Sequence, residues 1–136
     1  MKYLFVLIAF ISMQSLSAQV HKYRVFQSRI TGYDNNGNKV GEHLSDTLNI
    51  LLVVNYEKLT IETYGEKEAH YDLIRLNKDY YKDGDKWMEY EGVDDSGDKC
   101  NITFVTYGNP NPYYWIVSLI FEYKNVMIID KLKPND

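Results

Sequence analysis

Residues 79–91 read DYYKDGDKWMEYE. Asp83-Gly84 is a two-residue hairpin signal, because both positions of a tight type I′ turn need positive φ. Flanking it, Asp79–Lys82 and Asp85–Glu91 mix tyrosine, tryptophan and charged residues, as half-buried strands do. Two further stretches carry related chemistry: DNNGNK at 34–39 and DDSGDK at 94–99. Each places an Asp before a glycine that can take the left-handed conformation, and each ends in Lys. Three such corners between strand-like runs imply a chain that folds back on itself repeatedly.

Working outward, Val20–Tyr33, Lys39–Leu44, Thr47–Val54, Leu59–Tyr64, His70–Leu76, Lys99–Tyr107, Tyr113–Tyr123 and Val126–Leu132 all read as strands. Apolar residues on both parities of TLNILLVV, 47–54, imply a strand buried on both faces or bending through a core. Residues 66–82 leave room for a short helix. The connections are too short for parallel crossovers, which need a dozen or more residues. The expected fold is therefore all-β: a compact antiparallel meander of about eight strands. It is closed as a small barrel or folded as a two-sheet sandwich.

The first 18 residues have a different character. Lys2 precedes an apolar run from Tyr3 to Met13, and small polar residues follow. That is the layout of a secretory signal peptide, and the run is too short for a bilayer, which takes about 20 residues. Cleavage after Ala18 leaves Gln19 first, although a cut after Ser17 satisfies the small-residue rule better. LSAQ, residues 16–19, resembles the signal-peptide ends of exported Bacteroidota proteins, in which Ala-Gln commonly straddles the cut. That resemblance covers about the first 20 residues and implies a periplasmic or extracellular protein. No cysteine follows the apolar run, so the lipid-anchoring pattern of exported bacterial proteins is missing. Residues 19–136 then form a single domain with no membrane span in the mature chain.

Lys2 is the only charge in that leader, so the rest carries 14 basic and 19 acidic residues, a net −5. A mildly acidic domain is not suited to nucleic acid or to anionic lipid. The lone cysteine, Cys100, can form no internal disulfide. It alternates in phase with Ile102 and Phe104 and should face the core.

None of the motifs for hydrolytic nucleophiles, zinc or phosphate cradles occurs, so no catalytic residue and no cofactor is expected. His70 and Asp72 share a strand face and can hydrogen-bond. A weak calcium reading of Asp94, Asp95 and Asp98 fails the spacing test. Lys99 stands where a calcium loop has glycine, and Val105 where it has glutamate. Asp46-Thr47-Leu48 resembles the O-glycosylation site of exported Bacteroidota proteins, and Asn101-Ile102-Thr103 is a formal N-glycosylation sequon.

The strong bias is tyrosine, 13 in all. Tyr80, Tyr81, Trp87 and Tyr90 flank the Asp83-Gly84 hairpin. Tyr107, Tyr113, Tyr114 and Trp115 flank GNPNP, 108–112. Rigid aromatics near loop ends offer large contact area at low entropic cost. The expectation is a non-catalytic binding or interaction module whose partner is a protein, a glycan or a small apolar ligand. The alternative is a small lipocalin-like barrel around an apolar ligand, although the Gly-x-Trp motif of that family is missing. A hydrolase without a recognisable motif comes third.

Overall fold

The computed structural model describes residues 19–46, 48–108 and 117–135. Among them are nine strands and no helix: β1 (Val20–Tyr33), β2 (Lys39–Ser45), β3 (Ile50–Asn55), β4 (Thr60–Gly65), β5 (Ala69–Lys82), β6 (Asp85–Asp94), β7 (Lys99–Thr106), β8 (Val117–Glu122) and β9 (Val126–Pro134). Every pairing is antiparallel, and from β3 to β9 each strand pairs with the next. The choice between barrel and sandwich is decided by β1. One of its edges pairs β3 through Val20–Val25 and then β2 through Ser28–Tyr33, while its other edge pairs β9. The β1–β9 ladder closes eight strands into a barrel and leaves β2 as an extra strand. A bulge at Phe26, where the β1–β9 register shifts, marks the point of transfer.

The turns behave as their residues require. Asp83 and Gly84 have φ of 53° and 84°, as a type I′ hairpin demands. In the other two corners Gly37 and Gly97 have φ of 81° and 85°. There Asp34 and Asp94 each accept two backbone N–H bonds at one carboxylate oxygen, from Asn36 and Asn38 and from Ser96 and Asp98.

Alternation then fills the lumen. Ile50, Leu52 and Val54 of β3, Ile61 of β4, Ile102 and Phe104 of β7, Leu119 and Phe121 of β8, and Leu132 of β9 form one core. An eight-stranded barrel is just wide enough for side chains to fill. Leu52, Val54, Ile61, Ile102, Leu119 and Leu132 expose 0% of their surface, so no void large enough for water adjoins them. Burying each such side chain contributes roughly 1.5–3 kcal/mol. Cys100 lies in this core, 5% exposed. Glycine at 92 makes room for its neighbour, since a Cβ there would sit 2.5 Å from Ile102 Cδ1.

Outside, the surface is mixed and charged. One outward row across β6, β7, β8 and β9 reads Glu91, Asn101, Glu122, Met127. Among the described residues no helix is long and apolar enough to cross a membrane.

Two expectations need correction. The chain between 69 and 82 is one continuous strand, not a helix or two short runs. Its register against β6 shifts between Leu73 and Arg75 and again between Leu76 and Lys78, leaving Ile74 and Asn77 as extra residues. Each extra residue reverses the inside–outside phase, so the sequence loses its period of two there. Residues 50–55 also bury one face rather than two, since Leu51 and Val53 lie half-buried outside.

Candidate binding surfaces

The barrel has two dissimilar ends. β5 pairs with β4 only at Ala69–Asp72, and beyond Leu73 it pairs with β6 alone. The β5–β6 hairpin thus extends as an arm past the end of β4. Its tip carries much of the aromatic chemistry foreseen from sequence. Tyr80 pairs with Trp87 across the strands, their rings 6.1 Å apart and 12° from parallel. The Lys82 ammonium stands 5.9 Å from the Trp87 ring on the same face. On the opposite face Tyr81, 74% exposed, has the Lys86 ammonium 5.8 Å from its ring. An ammonium over a ring face is attractive by about 0.5–1 kcal/mol at exposed sites, and it holds the rings in place without covering them fully.

Tyr90 is placed elsewhere. It is 6% exposed and lies edge-on to Phe104 in the core, so it offers the surface nothing. The period-two rule separates it from Trp87, three residues away and on the other face. Tyr107 lies on the outer wall, half-buried, its hydroxyl 3.0 Å from Ser118 Oγ. The next residue ties this wall to the arm. Gly108 N–H donates to Asp85 Oδ1 at 3.0 Å, and a Cβ at Gly108 would collide with Gly84 O at 2.3 Å. The chain thus leaves β7 against the tip of the arm and re-enters the barrel at Val117, opposite Thr106. Tyr113, Tyr114 and Trp115 lie outside the described residues, as does Thr47 of the O-glycosylation pattern.

The other end is sealed by polar side chains, a feature with no linear signal. Tyr123 O–H donates to Asp94 Oδ2 at 2.8 Å and also meets the Tyr71 hydroxyl and the Cys100 thiol. Burial, and then the Asp94 carboxylate, push the Tyr123 hydroxyl far above the ordinary tyrosine range. Burial raises Tyr71 to about 12 and pushes the Cys100 thiol up as well. Partial burial works against ionisation of Asp94. The Asp98 amide, the Tyr123 hydroxyl and the Ser96 amide outweigh it, and its acidity ends up increased.

Asp94 is therefore occupied by the fold, and the calcium reading loses its main ligand. The Asp83–Asp85 corner that would have to join it lies at the opposite end of β6. A ten-residue strand separates the two by about 30 Å. Among the described residues no three His, Cys, Asp or Glu side chains are grouped to hold a metal.

The histidines pair locally. His70 lies between Asp72, 2.9 Å from Nε2, and Glu62, 3.2 Å from Nδ1. The hydrogen bond to Asp72 raises its pKa, burial opposes, and Glu62 adds to the rise. Two carboxylates favour the imidazolium, which suits an ion pair better than a base. His43 Nε2 is 3.1 Å from Ser45 Oγ on β2, where both residues sit on a strand open to water.

Asp130 faces the lumen 4% exposed, and its Oδ1 has no hydrogen-bond partner. Burial raises its pKa, while Ser28 and the nearby Lys67 oppose the rise.

These features define a closed, solid-cored β-barrel with a polar seal at one end and an aromatic arm at the other. No protein-family model, no curated protein and no solved structure matches the chain.

Proposed function

We propose that this chain is an exported, non-catalytic binding module that contacts its partner with its outer surface, at the aromatic arm. The carrying observation is the β5–β6 hairpin, which reaches beyond β4, sets Tyr80 beside the Trp87 ring and holds Trp87 and Tyr81 under lysine ammonium groups. Pre-ordered aromatics lose little conformational freedom on binding. Export rests on the leader-like residues 1–18, and its place is the periplasm or the cell exterior. The filled lumen weighs against the lipocalin-like alternative, since an apolar ligand would have to displace Leu52, Ile102 and Leu119. His70, held between two carboxylates on an open face, lends no support to the hydrolase reading.

The test is site-specific photo-cross-linking in the cell that makes the protein, with benzophenone in place of Tyr81 on the arm or of Lys58 in the β3–β4 turn. Adducts confined to the arm position support the reading. Equal labelling at both positions, or none, contradicts it.

A further inference from the structure

We infer that the outer wall of β6–β8 is a binding trough for a neutral oligosaccharide, an inference that rests on the arm being the contact surface. A depression of about 380 Å³ lies over Glu91, Asn101, Glu122 and Lys124, and a second of about 240 Å³ over Lys78, Glu89, Asn101 and Thr103. They share Asn77, Asn101 and Glu122, so they form one trough. Asn77 owes its place on the rim to the second β5 bulge. Its Oδ1 accepts from Arg75 Nε at 2.9 Å, which leaves its NH₂ group as a donor. At the arm end the trough meets the ring pair, because Tyr80 O–H reaches Glu89 Oε1 at 3.5 Å.

Three properties select the ligand. First, the charges are mixed and partly paired: Glu89, Glu91 and Glu122 stand against Lys78, Lys99 and Lys124, with Arg75 on Glu91 and Lys78 near Glu89. A polyanion or polycation would meet repulsion as well as attraction, whereas a neutral chain of hydroxyls finds both donors and acceptors. Second, the floor offers no free backbone. β7 is hydrogen-bonded along both edges, to β6 and to β8, so an extended peptide cannot add to the sheet there. Recognition must come from side chains. Third, the Tyr80–Trp87 rings lie beside the trough, just beyond Glu89 of its lining, and the C–H face of a pyranose is a surface that such rings cover. Alternating polar edges and apolar faces are what a sugar chain presents.

The experiment is saturation-transfer NMR on the mature protein with cellohexaose, maltohexaose and chitohexaose, and with a heparin hexasaccharide as the charged control. At least one neutral chain should bind. Asn101→Ala, an outward change remote from the core, and Trp87→Ala should each weaken it about tenfold or more, while Lys58→Ala should leave it unchanged. Circular dichroism on each variant separates lost binding from lost folding. Silence from all three neutral chains, preference for heparin, or binding indifferent to Asn101→Ala would overturn the inference. If Tyr81 still gives arm-specific cross-links when no sugar binds, the contact surface stands and only the ligand class fails. If both experiments are blank, the contact surface falls too.

Discussion

The two ends of this barrel spend similar side chains in opposite ways. At the sealed end the Tyr123, Tyr71 and Asp94 groups satisfy one another beside Cys100, and they hold the turn at 94–98 onto the barrel. At the arm, Tyr80, Tyr81 and Trp87 are ordered by neighbouring rings and lysines yet still reach solvent. The difference lies in what the hydroxyl or ring faces. A tyrosine that donates to a partly buried carboxylate is part of the structure, and one laid beside an ammonium on the surface is available to a partner.

Substitutions at the two ends should therefore separate stability from binding. At the sealed end, Tyr123→Phe deprives Asp94 of its hydroxyl donor. A loss of about 1–3 kcal/mol follows from removing a hydrogen bond to a charged group, read by urea unfolding. Trp87→Ala, by contrast, should shift the same transition by only about 1 kcal/mol, the scale of its exposed ammonium and ring contacts, while removing the proposed contact surface of the arm. A large stability loss from Trp87→Ala would erase the distinction.

The near-identical turns sharpen it. Asp34 and Asp94 accept the same two backbone amides, but only Asp94 also binds a tyrosine. Asp94→Ala should lower the thermal midpoint more than Asp34→Ala does, by the share that Tyr123 contributes. Equal effects would mean that the seal is ornamental.

Asp130 supplies a pH test. A carboxyl whose folded pKa is raised contributes stability that is fully present below its unfolded value, about 3.9, and is lost as pH rises through the folded value. The wild type should lose stability over that window, and Asp130→Asn should flatten that part of the profile. The smallest effect is at His70, whose raised pKa works in the same sense from a higher start. Its contribution is complete below about 6.5 and fades as pH climbs through the folded value. Because it is an exposed pair, His70→Gln should remove no more than about 0.5 kcal/mol at pH 6, and nothing at pH 9.

Much of this architecture is legible in the chain. The Asp-Gly and Asp-x-x-Gly corners name their own turns, because Gly37, Gly84 and Gly97 occupy the left-handed region. The inward phase of Cys100, Ile102 and Phe104 follows from alternation alone. Three things are not local. Closure depends on β1 meeting β9, whose residues lie about a hundred positions apart. The β5 bulges break the period that would have announced one long strand. The trough exists only because the registers of β6, β7 and β8 bring Glu91, Asn101 and Glu122 into one row. The aromatic arm was visible as composition, but its division between surface and core follows from strand phase, which sets Trp87 outside and Tyr90 within.

The proposed function requires binding on the wall and arm and not in the lumen. Titration with a fluorescent fatty acid such as cis-parinaric acid tests it most directly. A filled lumen predicts no saturable signal, in the wild type or in Trp87→Ala. Saturable one-to-one binding that survives Trp87→Ala would place the ligand inside the barrel and contradict the account.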